Sequence, residues 1–585
     1  MSHMPPETPE IPSEVTVKRS DPVYNAHAYL TKVPVTAIEP FIETFTAPGD
    51  VVLDMFGGSG MTGVAAGLLG RRAEIRDISV LGRHIGTNFV NLVDADEFRS
   101  AAEGVVADVQ AQLGDVYATR CAECSEVAAL SRTVWSFVFE CQSCASGVNY
   151  YEAFAATPNW AKKKMTCPSC HAPFVSRGAK RLTEVPVIDT VACACSRTLR
   201  DQEHTPPLNS VSLDGLNVMS TSIGEDRQMF QASALKKHGL LTTSSFFSER
   251  NIAVLAALRA RIDEVNDEDL RSKLLFAFTA VLARASKRYQ WNPKRPLNAA
   301  NQNYYVAPVY YEWNVYDLFE RKVKAALHAD EYLRTRTCEA GVSEFGAVRY
   351  LTGSADAIAL EDESIDYVFT DPPFGSNIFY SDMNLFQEVW LGEFTDHVSE
   401  AVVDRSPTSA KRRTSETYER LMTDALREAW RVLKPDGWLS LVFLNSSGTM
   451  WALVQRAVSE AGFTLKEVTV LNKGQRSVKG LASGFENVVT VDLILSMKKS
   501  NIAVDSFADA VSAPNGALGS AVTEVLSSDS SPTPSHVYVG VIRKFLKAGW
   551  DVTDLDIGGI GLVLQDLGYE VNVSSGNLVL VGEAS

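Results

Sequence analysis

No run of about eighteen apolar residues occurs in the 585-residue chain, so no membrane-spanning helix is expected. The N-terminus lacks an apolar core and is polar and proline-rich, which argues against a secretory signal. Met1-Ser2-His3 ahead of Met4 has the look of a cloning scar. A positive charge balance is missing too: 55 Lys and Arg face 71 Asp and Glu, a formal net charge of −16. That excludes a uniformly basic nucleic-acid-binding surface and leaves only local clusters. These are Lys162-Lys163-Lys164, Lys287-Arg288 with Lys294-Arg295, and Lys411-Arg412-Arg413. Around the second cluster lie Tyr289, Trp291, Tyr304 and Tyr305. Cysteine is nearly absent outside one block: eight of nine lie between residues 121 and 195. A secreted disulfide framework spreads differently, so the block suggests metal in a reducing cytoplasm. The ninth, Cys338, stands alone and reads as a core residue. At 45% hydrophobic and 22% charged residues the remainder is that of a globular protein, long enough for two to four domains.

The most informative stretch present is Thr370-Asp371-Pro372-Pro373-Phe374. The preceding Ser364-Ile365-Asp366-Tyr367-Val368-Phe369 reads as a short buried strand that the prolines stop. Asp-Pro-Pro also opens ordinary turns. At a strand's end, however, the four residues suit the exocyclic amino group of a planar base. The Asp371 carboxylate can accept one amino hydrogen, the Pro372 carbonyl the other, and Phe374 offers a face for stacking. A second motif lies far upstream in Val51-Val52-Leu53-Asp54-Met55-Phe56-Gly57-Gly58-Ser59-Gly60-Met61-Thr62-Gly63. Here an apolar strand enters a glycine-rich turn and then a helix, whose N-terminus presents N–H groups to a ligand. The pattern Asp-x-Phe-x-Gly-x-Gly is not the Gly-x-Gly-x-x-Gly of a dinucleotide site. It resembles the S-adenosylmethionine (AdoMet) loop of amino-methyltransferases. Asp77 ends the next strand, Ala73 to Ile78, where an acid could accept two ribose hydroxyl hydrogens.

Cys121-x-x-Cys124 and Cys141-x-x-Cys144, with residues 125–140 between them, match the knuckles of a zinc ribbon. Cys167-x-x-Cys170 and Cys193-x-Cys195 form a second set, the last pair with unusual spacing. Nested pairing, in which the outer pairs share one metal, is the alternative. His171 is a spare ligand candidate. Four-thiolate sites are closed and structural, so their role would be folding and surface presentation.

Alternating strands and helices over 51–100 and 346–499, closed by a hairpin, imply a mostly parallel sheet. The expected organisation is a disordered stretch over 1–20 and a first Rossmann-like part over 21–100. An insertion over 101–345 follows, with zinc ribbons at 115–200 and a helical, target-recognition region. The second Rossmann-like part spans 346–499, a Ser/Ala/Pro-rich linker 500–534, and a small α/β or winged-helix-like module 535–585.

Over residues 23–500 the chain resembles the adenine-specific DNA methylases that contain a zinc ribbon. The glycine-rich loop, Gly70-Arg71-Arg72, Val134-Trp135-Ser136 and Phe246-Phe247-Ser248-Glu249-Arg250 carry the likeness. So do Ala285-Ser286-Lys287-Arg288-Tyr289-Gln290-Trp291, the Asp-Pro-Pro-Phe block, Tyr380-Ser381-Asp382 and Trp390-Leu391. The order, AdoMet loop before tetrapeptide with the insert between, resembles the α-type arrangement. The family's usual tetrapeptide ends in Tyr, so Phe374 keeps the ring and loses the hydroxyl.

The resemblance implies a Rossmann-like AdoMet-dependent methyltransferase fold with a zinc-ribbon insertion. It implies N6-methylation of a flipped adenine in double-stranded DNA. AdoMet would meet Phe56, Gly57, Gly58, Ser59, Gly60 and Thr62, with Asp54 organising the loop, Asp77 on the ribose and Asp356 on the adenine amino group. Lys32 and Pro34 would close over the methionine end. Asp371, Pro372, Pro373 and Phe374 would form the catalytic turn. Two structural zinc ions would sit on Cys121, Cys124, Cys141, Cys144, Cys167, Cys170, Cys193 and Cys195. The insert, residues 284–313 and the 405–413 loop are candidates for DNA contact. A nucleoid-associated cytoplasmic protein, with restriction or phage-defence partners and no membrane, completes the expectation. N4-cytosine methylation, RNA amino-methylation and a non-catalytic zinc-dependent subunit are the competing readings. Carbon-5 cytosine chemistry is disfavoured, since Cys338 lacks the setting of a nucleophile.

Overall fold

The computed structural model describes residues 9–17, 21–157, 165–292, 297–298, 303–342, 344–375, 378–404, 413–472, 491–500, 511–528, 532–572 and 577–580. Lys162-Lys163-Lys164, Lys294-Arg295, Lys411-Arg412 and the rest of 405–412 lie outside these residues, as do residues 1–8, 18–20 and 501–510.

Eight strands make the main sheet: β1 (Glu14–Thr16), β2 (Val51–Asp54), β3 (Arg72–Asp77), β4 (Val348–Thr352), β5 (Ile365–Thr370), β6 (Leu433–Phe443), β7 (Phe463–Asn472) and β8 (Asp492–Lys499). In space they run β1-β7-β8-β6-β5-β2-β3-β4. All neighbours are parallel except β8, which is antiparallel to both β6 and β7. From β2 the chain steps outward to β3 and β4, then returns to β5 on the other side of β2. That reversal opens a crevice at the carboxyl ends of β2 and β5, where open α/β sheets bind ligands.

Burial on both faces explains why the central strands are mostly apolar. Val52, Tyr367 and Phe369 enter one core cluster and Leu53 and Val368 the other, all essentially unexposed. Successive side chains point to opposite faces, and both faces of a parallel sheet are covered.

Between β3 and β4 lies a second, antiparallel sheet. Its order is Arg200–Glu203, Arg181–Ala192, Val127–Glu140, Val309–Trp313, Tyr289–Gln290 and Leu297–Asn298, with Ala118–Arg120 and Gly147–Asn149 also on the long strand. Helices Glu249–Asp263 and Glu268–Thr279 follow, capped by Ser248 and Asp267, and then a helix from Val315 to Glu339. Cys338 is exposed near the end of that last helix rather than in a core.

Three stretches differ from the sequence expectation. Residues 14–16, expected to be disordered, pair with Val470–Asn472 as a short edge strand. Three residues carry too little periodicity to announce a strand whose partner is more than 450 positions away. Within the expected linker, Ala517–Ser528 is a helix lying against helix Pro534–Ala548, with Val525 close over Gly540. Its apolar stripe (Leu518, Ala521, Val522, Val525) has helical spacing, which a Ser/Ala-rich composition conceals. Finally, helices Pro534–Ala548 and Ile557–Asp566 share the core cluster of β6, β7 and β8 instead of standing apart.

Candidate active site and cysteine clusters

A cavity of about 1050 Å³, its open mouth included, lies over the carboxyl ends of β2, β3, β4 and β5. One wall is the glycine-rich turn. Gly60 caps helix Met61–Leu68 with φ +79°, and a Cβ there would come within 2.8 Å of the Gly86 Cα, so the turn needs glycine twice over. Asp54 ties the turn together. Its Oδ1 accepts from Phe56 N (3.1 Å) and Thr370 Oγ1 (2.9 Å), and its Oδ2 from Thr62 Oγ1 (2.6 Å). Thr370 immediately precedes Asp371, so one buried carboxylate joins both motifs. Burial pushes the Asp54 carboxyl up to about 6 against those hydrogen bonds.

Asp77 accepts from Gly58 N (2.7 Å) and from Ser79 N (2.8 Å). A carboxylate has about four acceptor positions, so capacity for two hydroxyls remains. Burial raises its pKa as well. Asp356 lines the same cavity beyond β4. Tyr350 of β4 donates to Gly58 O at 2.6 Å and fixes the turn from below.

The opposite wall is the Asp-Pro-Pro-Phe turn. Asp371 and Pro373 line the cavity, while Pro372 is buried behind them. Tyr418 donates to Pro373 O at 2.6 Å and Asn445 Nδ2 to Phe374 O at 3.0 Å. Among the described residues no donor meets Pro372 O. The Phe374 ring stands edge-on to Phe443, centroids 5.4 Å apart.

A third wall comes from Tyr29, Thr31, Tyr380, Ser381, Asn384 and Glu400. Tyr29 stacks on Tyr380 (6.1 Å, 22°), and Thr31 and Tyr380 share a hydroxyl hydrogen bond of 2.5 Å. Glu400 caps helix Tyr380–Leu391 from outside its sequence, accepting from Tyr380 N (2.6 Å) and Ser381 Oγ (2.5 Å). Burial raises its carboxyl to about 7. Nothing in the local sequence marks Glu400 or Asn384; Tyr380-Ser381 is marked only through the family resemblance.

Of the cofactor residues expected from sequence, Asp54, Phe56, Gly57, Gly58, Ser59, Thr62, Asp77 and Asp356 line the cavity. Pro34, Gly60 and Phe374 are not among its lining residues. Lys32 reaches the lining, but its ammonium donates to Tyr24 O (2.5 Å) and His27 O (2.7 Å), and burial lowers it to about 7. The ammonium thereby braces the N-terminal segment. The lining therefore offers five acids, Asp54, Asp77, Asp356, Asp371 and Glu400, against one committed lysine. Such a lining suits a cationic ligand and repels the pyrophosphate of a dinucleotide.

The cysteines assemble into two tetrads, Cys121/Cys124/Cys193/Cys195 and Cys141/Cys144/Cys167/Cys170. This is the nested pairing; the sequential one is excluded, because the long strand Val127–Glu140 carries the two knuckles at its opposite ends. In three knuckles the residue after the second cysteine has positive φ: Ser125 at 63°, Ala145 at 60° and His171 at 59°. Each also donates its N–H to the first cysteine's carbonyl at 2.9 Å. His171 thus closes a turn and is absent from the tetrad. Cross-pair Sγ–Sγ distances are 3.7 and 3.5 Å in the first tetrad and 3.8 and 3.8 Å in the second. A tetrahedron with zinc–sulfur bonds of about 2.3 Å has edges of about 3.8 Å. The donor sets fit zinc.

Residues 8–93 match the family model N6_N4_Mtase, described as DNA methylase. A 42-residue stretch is 57% identical to the protein of Escherichia coli (strain K12) named "Putative methylase YubD", covering 7% of this chain and 18% of that one. Structural similarity extends to TrmN from Thermus thermophilus, 19% identical, over 31% of this chain and 34% of that one, TM-score 0.15. It also extends to a SAM-dependent methyltransferase from Methanosarcina mazei, 11% identical, over 28% and 76%, TM-score 0.15. The strand order, the turn after β2 and the acid ending β3 define a Rossmann-like open α/β fold. Among the described residues no helix is long and apolar enough to cross a membrane.

Proposed function

We propose that this protein is an AdoMet-dependent methyltransferase acting on the exocyclic amino group of a base in double-stranded DNA, with adenine N6 as the target. The observation that carries the reading is the joining of the two motifs through Asp54 and Thr370 around one acidic cavity. Bound AdoMet supplies an electrophilic methyl group on a sulfonium, whose positive charge the acidic lining favours. Asp77 accepts from the ribose, and Asp356 meets the adenine end. The target base leaves the duplex, since its amino group is shielded in the stack, at a cost of a few kcal/mol. Asp371 accepts one amino hydrogen and the Pro372 carbonyl the other, so the nitrogen lone pair is held out of the ring and toward the methyl donor. Tyr418 on Pro373 O and Asn445 on Phe374 O hold the backbone that follows Pro372. Rate then comes from positioning and fixed dipoles. Zinc on each cysteine tetrad would hold the second sheet, which carries side chains for phosphate and base contact.

N4-cytosine methylation is the second reading, because the matched family covers both N6 and N4 chemistry and cytosine presents an equivalent amino group. Host DNA marking in restriction–modification or phage defence is the setting such an activity would serve. Nucleoside mass spectrometry on unmethylated DNA incubated with protein and AdoMet is the test, beside an Asp371→Ala control. N6-methyladenine absent from the control supports the proposal; N4-methylcytosine replaces it with the second reading. A product on RNA alone moves the substrate, and none on either leaves a binding role.

A further inference from the structure

The C-terminal helices reach the catalytic turn through a short chain of bonds. Asn445 follows β6 and is buried. Its Nδ2 holds Phe374 O at 3.0 Å, and its Oδ1 accepts from Ser447 N at 2.9 Å. Its own carbonyl accepts from Trp451 Nε1 at 3.0 Å and from the Tyr538 hydroxyl at 3.0 Å. Tyr538 has no exposed surface and lies in helix Pro534–Ala548. Beside this relay, Ile557 N donates to Ser446 O at 3.2 Å. A Cβ on Gly448 would stand 2.1 Å from Val552 O and 2.6 Å from both Leu555 O and Thr553 O, so the backbones meet without a side chain between them. A second route runs through rings: Phe374 on Phe443, then Phe443 on Trp451 at 4.9 Å. Both routes end on the turn. The glycine-rich turn has other anchors, Asp54, Asp77 and Tyr350.

We propose that Asn445 and Tyr538 are positioning residues for the target base, which makes helix Pro534–Ala548 a working part of the base-binding half and not an appended module. The proposal rests on the amino-methyltransferase reading above. Removing the Asn445 amide frees the Phe374 carbonyl to turn, and the direction of the Pro372 carbonyl, two residues before it, relaxes with it. Removing the Tyr538 hydroxyl loosens the same peptide one bond further away.

The test uses the full chain with Asn445→Ala, Tyr538→Phe and the double variant. Asn445→Ala is expected to lower kcat about tenfold and Tyr538→Phe about threefold, the double falling short of the product because the two act in series. AdoMet affinity by calorimetry stays within about twofold of the parent, since no anchor of the glycine-rich turn is touched. Amide hydrogen exchange rises at Asp371, Phe374 and Gly375 and not at residues 54–62. Unchanged kcat with unchanged exchange at the turn overturns the proposal. So does a parallel loss of kcat and AdoMet binding with faster exchange throughout, which marks a merely structural role. If the parent protein methylates nothing, the functional reading fails, while the exchange arm still decides whether the relay holds the turn.

Discussion

The two halves of the cavity are built by different means. The glycine-rich half comes from one contiguous stretch, residues 54–79: a strand, a turn, a helix and the next strand. Many of its contacts are short in sequence, as with Phe56 and Thr62 on Asp54 or Ser79 on Asp77, while Thr370 on Asp54 and Tyr350 on Gly58 reach it from across the fold. The Asp-Pro-Pro-Phe half is assembled from afar. Tyr418 on Pro373, Asn445 on Phe374, Thr31 on Tyr380 and Glu400 on helix Tyr380–Leu391 bridge between 19 and 349 positions. A largely local half depends on few distant elements, whereas an assembled half inherits every weakness of the many that support it.

The largest expected effect is on the assembled half alone. Asp371→Ala should lower methyl transfer about a thousandfold while AdoMet binding by calorimetry persists, because in the proposed function the lost acceptor faces the base. Loss of AdoMet binding in that variant would break the comparison. In the other direction, Asp77→Ala should weaken AdoMet roughly tenfold to a hundredfold. Saturating cofactor should then restore much of kcat, read from initial rates across AdoMet concentration.

The cysteine tetrads sharpen the contrast from outside the cavity. Chelation of the bound metal should release about two zinc ions per chain, one for each tetrad. It should also raise hydrogen exchange in the strands Val127–Glu140 and Arg181–Ala192 far more than in β2 or β5. Cys124→Ser should loosen the end near Cys193 and Cys195, and Cys144→Ser the opposite end of the same strand. Equal loosening at both ends in each variant would argue against separate nested sites.

The smallest effect is a pH slope. Burial raises the folded-state pKa of Glu400 to about 7 and of Asp54 to about 6. Between the ordinary carboxylate range and those values the folded protein holds more protons than the unfolded chain. Stability contributed by these groups therefore rises as pH falls through that window and declines toward pH 7. Thermal melts across the window should show this slope in the parent protein and a flatter one in Glu400→Gln. A slope unchanged by the substitution would assign it to Asp54 or another group.

How far the sequence could be read follows the same division. The glycine-rich turn, Asp77 and the cysteine knuckles were legible because their chemistry and backbone demands are local. Lys32 is half legible: the sequence places it at the cavity, which it lines, but only the fold shows its ammonium turned to the Tyr24 and His27 carbonyls. Helix Ala517–Ser528 was hidden by its Ser/Ala composition, and strand β1 by its brevity. Glu400 and Asn445 could not be found in principle, since their neighbours along the chain say nothing about Tyr380 or Phe374.

The amino-acid sequence by itself determined the two turns, the residue types they present and the alternation of strands and helices, because steric limits on backbone and periodic burial act over a few residues. The tertiary structure decided which cysteines share a tetrad, that Asp54 and Thr370 join the motifs, and that Tyr538 meets the Asn445 carbonyl behind the Asp-Pro-Pro-Phe turn. Those outcomes depend on strand order and on packing between segments hundreds of residues apart, which no local pattern encodes.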